Sequence, residues 1–296
     1  MKKVQALSVL IVLFLFSCKK QDSTGEPTPE QYDIQFNVSG FSQEISDISS
    51  TKPMASTSSA GDYVSYIYYY IYNEKGNLVK SGKHEDKYSK DFSYPQEKLT
   101  NGRYTIVLVA STARLTSFEW DTLWSLSFGP YDKSQPFGDT FARSLTFDVN
   151  GRSGQFDVRL ERVTAKLELT INDKLPADLT SFTLSYPSNA YFSALGDFGA
   201  VRSYLFSHTI TQEDRNSWYR WQTFVMPETG SSSVAGDVII KGYNSNQQLI
   251  VTKTIKGVTF TKNKKTTLTG NLNSDAYMTF YSGVDTSYTG TIQYGF

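Results

Sequence analysis

The sequence has very little cysteine and histidine, with one Cys and two His among 296 residues. A single cysteine excludes any disulfide within the chain, so stability must come from packing and from sheet hydrogen bonds. Serine and cysteine hydrolases need an imidazole beside the nucleophile, and only His84 and His208 can supply one. Neither stands in a catalytic motif, and we interpret both as ordinary loop residues. No pair among the 29 acidic residues stands out as a glycosidase pair, so we predict a protein that is not an enzyme.

Metal and phosphate motifs are missing as well. There is no His-x-x-x-His, no cysteine pair and no calcium loop. Gly151-Arg152-Ser153-Gly154 lacks the lysine and the helix that a P-loop requires. We therefore expect no cofactor and no metal. Lys+Arg and Asp+Glu are both 29, so there is no net positive charge to attract nucleic acid, which is excluded as a partner.

Residues 1–17 have the order of a lipoprotein signal peptide. Lys2 and Lys3 precede the apolar run 9–16, which Ser17 separates from Cys18. The run is too short to cross about 30 Å of hydrocarbon as a permanent helix, and the order of charged, apolar and small residues is typical of a removable segment.

Cys18 is the predicted lipidation site. Ser17 is the small residue that a lipobox needs before the cysteine, and Leu15 is the aliphatic residue two places earlier. Lipid on Cys18 would hold the mature chain on a membrane, and the lack of Asp at position 19 favours the outer membrane. The alternative is that Cys18 is a buried small hydrophobe at the end of an ordinary signal peptide.

Composition and patterning predict an all-β chain of two tandem antiparallel β-sandwich domains. Aromatic residues are 15% and charged residues 20%, a balance that favours strands. The mature chain is long enough for two cores. We predict a flexible tether over 18–30, an N-terminal sandwich over 31–161 and a C-terminal sandwich over 162–296.

Alternation of apolar and polar residues predicts the strands. In the first domain we expect a half-buried strand from Tyr32, a central strand at 63–72 with its partner at 78–82, a strand after the Asn101-Gly102 turn, and a hairpin around Asn150-Gly151. The aromatic connection 112–143 would form a satellite cluster or a short helix. In the second domain the expected strands are 162–171, 182–186, 221–226, 238–240, 249–251, 257–261, 266–272 and 290–296.

Exposed aromatic residues raise an alternative function. Trp218, Tyr219 and Trp221 could stack on sugar rings, which would make the chain a surface glycan-binding lipoprotein. In a chain this rich in aromatic residues, packing in a core or at its rim is the favoured interpretation.

Four segments together resemble a known family. They are Asp33–Phe41, Leu99–Tyr104, Arg162–Leu169 and Asn263–Gly270. With the lipobox cysteine, this order is similar to the fimbrillin-type (type V) pilus lipoproteins of Bacteroides-like bacteria, and to their anchor-subunit branch in particular.

The resemblance implies transthyretin-like sandwiches, display on the outer membrane and the fimbrium, and pairing with other fimbrial subunits by strand exchange that supports adhesion. In shaft and tip subunits of the family, a protease cut after an arginine in the first domain frees a groove, whereas an anchor subunit keeps its N-terminal strand. Arg143, Arg152, Arg159 and Arg162 are the candidate cut sites here, and the sequence does not rank them.

Overall fold

The computed structural model describes residues 29–42, 60–118, 120–193, 195, 200–216, 219–227, 232–272 and 281–285. Its contacts divide the chain into Met1–Glu30 and Gln31–Phe296, and every sheet lies in the second unit. Strands dominate the described residues, which confirms the all-β prediction.

Among the described residues, nine strands precede residue 163. They are β1 (Tyr32–Ser42), β2 (Tyr66–Asn73), β3 (Leu78–His84), β4 (Gln96–Leu99), β5 (Gly102–Ser111), β6 (Leu115–Phe118), β7 (Ser127–Pro130), β8 (Thr140–Val149) and β9 (Gly154–Arg162). One 3-10 turn, Ala60–Asp62, precedes β2.

Nine more strands follow in the part of the chain that the structure describes. They are β10 (Ala165–Ile171), β11 (Ser181–Asn189), β12 (Phe192–Ser193), β13 (Val201–Thr209), β14 (Tyr219–Val225), β15 (Ser233–Tyr243), β16 (Leu249–Thr261), β17 (Lys265–Gly270) and β18 (Tyr281–Asp285). A five-residue helix α1, Gln212–Asn216, lies between β13 and β14. The predicted strand 290–296 lies outside the described residues.

Seven of these nine strands form one sheet in the order β3-β2-β5-β8-β9-β1-β4, and β6 and β7 form a separate three-stranded sheet with β12. Strands β8 and β9 pair only through Phe141 with Arg162 and Ala142 with Glu161. The hairpin predicted at Asn150-Gly151 is therefore formed only in part. Gly151 has the positive φ expected of the turn, at 72°, but beyond the two pairs β8 stays with β5 while β9 joins β1. Apolar side chains of β2, β5 and β8 pack with those of β1 and β9 in one core.

Two strand pairs run parallel, contrary to a purely antiparallel arrangement. Strand β1 is parallel to β9, and β10 is parallel to β17. Both pairs join strands that are far apart in sequence, so no turn fixes their direction, and local patterning holds no information about it.

The second half contains two four-stranded sheets, β14-β10-β17-β18 and β13-β11-β15-β16. Strand β10 begins at Ala165 rather than at residue 162, because Arg162 still belongs to β9. Ala165, Leu167 and Leu169 point into a core shared by strands of both sheets, as their spacing predicts.

A third apolar cluster covers the outer face of β2 and β5. Tyr68, Tyr70 and Tyr72 alternate with residues of the first core, so β2 is buried on both faces as predicted. The connection 112–143 supplies much of this cluster through β6 and β7, which confirms the satellite packing and not the short helix. Phe192 and Met226 join the cluster from the second half of the chain.

Candidate functional site

The N-terminal strand β1 occupies a groove between β9 and β4. It runs parallel to β9 from Ile34 opposite Gly154 to Ser42 opposite Glu161, and antiparallel to β4 from Tyr32 opposite Leu99. Both edges of β1 are thus satisfied by strands that follow it in the chain. We take β1 and the groove that it fills as the candidate functional site.

Three side chains of β1 point into the first core. Ile34, Phe36 and Val38 are each at most 2% exposed, and Phe36 packs against Phe147 and Phe156 with ring centroids 5.2 and 5.7 Å away. Burying three such side chains stabilises the fold by roughly 5–9 kcal/mol in total. The alternation Ile-x-Phe-x-Val predicts this inward face.

Backbone and side-chain hydrogen bonds hold β1 beyond the end of β4. The Phe36 N–H donates to the carbonyl of Pro95, and the Val38 N–H donates to the carbonyl of Ser93, each at 2.9 Å. On the solvent side, Asn37 Nδ2 donates to Asp157 Oδ1 at 2.7 Å. The described part of β1 is therefore bonded on both edges and packed on one face.

The four candidate cut sites lie well after β1. Arg143 and Arg159 have exposed side chains but lie within β8 and β9, whereas Arg152 lies in the exposed turn between these strands. Arg162 is only 3% exposed and forms a bidentate ion pair with Asp139. Hydrogen bonds between strands protect the backbone at Arg143 and Arg159 from a protease, and burial protects Arg162. Arg152 is therefore the candidate site most accessible to cleavage.

The predicted lipidation site, Cys18, lies outside the described residues, so it stays a prediction. Within the described ranges, no helix combines the length and hydropathy needed to cross a bilayer.

Both histidines lie in strands, so the prediction that they are loop residues is wrong. His84 ends β3 with Nδ1 3.0 Å from the carbonyl oxygen of Phe92. His208 lies in β13 with Nε2 2.9 Å from Asp214 Oδ2. Burial opposes the charge on Asp214, but hydrogen bonds from Thr211 and His208 outweigh it and lower the pKa of Asp214. Within the part of the chain that the structure describes, no His, Cys, Asp or Glu cluster could hold a metal.

Two of the three aromatic residues considered for sugar stacking are packed into the second core. Tyr219 is 5% exposed, and the Trp221 ring lies 4.4 Å from that of Phe206. Trp218 lies outside the described residues. Core packing, the favoured interpretation, is therefore confirmed for Tyr219 and Trp221.

A model of the family described as fimbrillin-A associated anchor proteins Mfa1 and Mfa2 matches residues 26–220, more than half of the chain. The chain belongs to this family. Membership assigns it a structural role in fimbriae at the cell surface, in association with other fimbrial subunits. The matched range includes β1 and its groove.

Solved structures show the same fold at low sequence identity. A candidate polysaccharide-binding protein from Bacteroides thetaiotaomicron is 11% identical, with a TM-score of 0.55, over 89% of this chain and 98% of its own. A candidate adhesin from Bacteroides ovatus is 13% identical, with a TM-score of 0.54, over 90% and 96%. The fimbrial anchor protein Mfa2 from Porphyromonas gingivalis is 12% identical, with a TM-score of 0.50, over 89% and 99%. A comparison with curated protein sequences finds no match.

Proposed function

We propose that this chain is a non-enzymatic anchor subunit that holds a fimbria on the outer membrane while keeping its own N-terminal strand. The observation that supports this is the position of β1, which fills the groove between β9 and β4 and buries Phe36 completely. A groove filled from within cannot accept a donor strand from another subunit. Growth of the fibre would then stop at this subunit, as a base requires.

The distribution of arginine supports retention of β1. The first arginine of the sequence is Arg103, in β5. No arginine lies between β1, which ends at Ser42, and β2, which begins at Tyr66. A cut after any arginine therefore leaves β1 covalently joined to β2, β3 and β4. Cleavage at Arg152 would place β1 and β9 on different fragments but would leave the eight residue pairs between them in contact.

The membrane attachment in this proposal is a lipid on Cys18, followed by a tether over 18–30. Each buried lipid methylene contributes about 0.8 kcal/mol, so several acyl chains hold a protein on a bilayer where one chain holds it only marginally. The sandwich domains 31–161 and 162–296 would be displayed beyond the tether. The next subunit would attach by accepting a strand of this chain into its own groove, which is β-strand complementation, and the assembled fibre would support adhesion.

Deletion of the gene tests the fimbrial role. We expect electron microscopy to show fewer attached fibres and more fibres shed into the medium. Fibres unchanged in number, length and attachment would contradict the proposal.

The Cys18→Ser variant tests the lipid anchor separately. We expect this variant to be lost from the membrane fraction. We also expect mass spectrometry of the wild-type chain to give a lipidated Cys18 at its N-terminus. A wild-type N-terminus beginning after an arginine would overturn retention of β1.

A further inference from the structure

A cleft of about 770 Å³ lies between β7 and β13, two strands from different halves of the chain. Its walls include Phe118 at the end of β6, Gly129 in β7, Tyr191 before β12 and residues 202–205 of β13. The volume falls within the range of about 300–1,000 Å³ that is typical of small-molecule sites. We call it the β7–β13 cleft.

Neighbouring strand pairs fix one wall of the β7–β13 cleft. Strand β7 pairs with β6 on one side and with β12 on the other. The Phe128 and Phe192 rings stack beneath, with centroids 5.5 Å apart. A Cβ atom at Gly129 would approach the Ala190 carbonyl and the Phe118 ring to 3.1 Å. Buried side chains therefore pack against the inner side of this wall and hold it in place. This favours a preformed site over one that is assembled on binding.

Among the described residues that line the cleft, the charged side chains are all positive. Lys133 and Arg202 both face it, and none of these described lining residues is a carboxylate. Neither cation has an ion-pair partner among the described residues. Asp132 is the carboxylate next to Lys133 in sequence, and it accepts hydrogen bonds from the N–H and hydroxyl of Ser134 at 2.9 and 2.7 Å. Two uncompensated cations in one concavity favour an anionic ligand.

Hydroxyl groups and aromatic rings make up much of the remaining lining. The hydroxyls of Ser127, Tyr191 and Tyr204 have no hydrogen-bond partner in the part of the chain that the structure describes, and all three residues line the cleft. Burial raises the pKa of Tyr204, while the nearby charge of Arg202 acts in the opposite direction. The Tyr204 hydroxyl is therefore neutral at physiological pH and able to donate.

We propose that the β7–β13 cleft binds an acidic sugar, with Arg202 and Lys133 on a carboxylate or sulfate group and Tyr191 and Tyr204 on the ring. A pyranose has polar edges that pair with hydroxyls and a C–H face that packs on aromatic carbon. Arg donates two parallel hydrogen bonds to a carboxylate or sulfate, which orients the charged group. An acidic peptide fits less well, because only four residues of β13 face the cleft and the hydroxyls come from separate segments.

Binding of defined oligosaccharides to the full-length lipoprotein in detergent tests this site. We would titrate oligogalacturonate, which is carboxylated, and chondroitin sulfate, which also has sulfate groups, against neutral dextran of equal length and poly-glutamate. We expect at least one acidic oligosaccharide to bind at least tenfold more tightly than both controls, and the affinity to fall with added salt. Equal binding of dextran would overturn the proposal, and so would equal binding of poly-glutamate, which would indicate an acidic peptide.

Single substitutions assign the binding to the β7–β13 cleft. Arg202→Gln and Lys133→Gln should each raise the dissociation constant of the acidic sugar about tenfold, because each removes a charge-assisted hydrogen bond. Lys241→Gln removes one exposed charge on β15, outside the cleft, and should change nothing. All three side chains are exposed, so the thermal midpoints should match that of wild type. Equal affinity of Arg202→Gln and Lys241→Gln would overturn the site.

Discussion

Arg162 holds Asp139 in a bidentate ion pair, with Nε 2.7 Å from Oδ1 and Nη2 2.9 Å from Oδ2. A third hydrogen bond runs from Arg162 Nη1 to Asn263 Oδ1 at 3.0 Å. Asp139 lies just before β8, Arg162 ends β9, and Asn263 lies between β16 and β17. The guanidinium thus joins the first half of the chain to the second.

Replacing Arg162 should strongly destabilise the fold. Arg162→Met leaves the Asp139 carboxylate without its buried partner, and we expect the free energy of unfolding to fall by about 3–5 kcal/mol. Arg143→Met is the matched control, because Arg143 pairs with Glu161 with both side chains about half exposed, and it should cost less than about 1 kcal/mol. Guanidinium unfolding monitored by tryptophan fluorescence gives both values. Equal losses of unfolding free energy in the two variants would contradict the prediction that the buried ion pair stabilises the fold more than the exposed one.

Phe36→Ala tests how firmly β1 is held. The substitution leaves a cavity beside Phe147 and Phe156, and we expect it to cost about 3–5 kcal/mol. Gln35→Ala changes the neighbouring side chain on the opposite face of β1 and should cost less than about 0.5 kcal/mol. Urea midpoints compare the two variants. A small effect of Phe36→Ala would mean that β1 is loosely docked and free to exchange.

Limited digestion with an arginine-specific protease should rank the candidate cut sites. We expect Arg152 to be cut before Arg143, Arg159 and Arg162, because it alone lies in an exposed turn. The two fragments should stay together in gel filtration, since β1 pairs with β9 across the cut. Mass spectrometry identifies the cut, and Arg152→Gln should abolish it. Early cleavage after Arg162 would contradict the burial of that residue.

Buried tyrosines should make the protein sensitive to high pH. Burial raises the pKa of Tyr68 to about 12 and that of Tyr186 to about 12. An acid whose pKa is higher in the folded state stabilises the fold below its unfolded pKa of about 10 and loses that contribution as the pH rises through the folded value. We expect the guanidinium midpoint to fall between pH 10 and 12.

Tyr68→Phe is the matched variant for this pH dependence. The Tyr68 hydroxyl accepts a hydrogen bond from the Leu115 N–H at 2.9 Å. Its loss should cost about 1–3 kcal/mol at pH 7 by leaving that donor unpaired. The decline above pH 10 should be shallower than in wild type, because one ionisable group has been removed. An identical slope would exclude Tyr68 as a contributor.

Strands with clear alternation could be predicted from sequence, and their partners could not. The spacing of Ile34, Phe36 and Val38 predicts β1, yet its pairing with β9 depends on contacts more than a hundred residues away. The sequence does not predict strand β13, because Leu205, 63% exposed, interrupts the alternation of Tyr204 and Phe206 with serines. The short strands β4, β6 and β7 hold too few residues to show a period.

The candidate sites divide in the same way. Local pattern predicts the strand β1 itself, but the groove that it fills is formed by β9 and β4, whose pairing with β1 the sequence does not show. The β7–β13 cleft brings Lys133 and Arg202 together from strands and turns whose packing only the fold determines. Its sequence signals are single cations beside hydroxyl residues, which are common on any protein surface.

The parallel direction of β1 and β9 has a mechanical consequence. The chain enters β1 at Tyr32 and leaves β9 at Arg162, so these two points lie at opposite ends of the paired strands. Tension between an attachment before Tyr32 and a load beyond Arg162 would slide the strands along each other and strain the whole ladder at once. A hairpin pulled from its open end gives way one bond at a time. Pulling single molecules with handles at residues 31 and 163 should therefore give a higher rupture force than pulling across the β15–β16 hairpin. In the proposed anchor role, this geometry would resist traction from a long fibre.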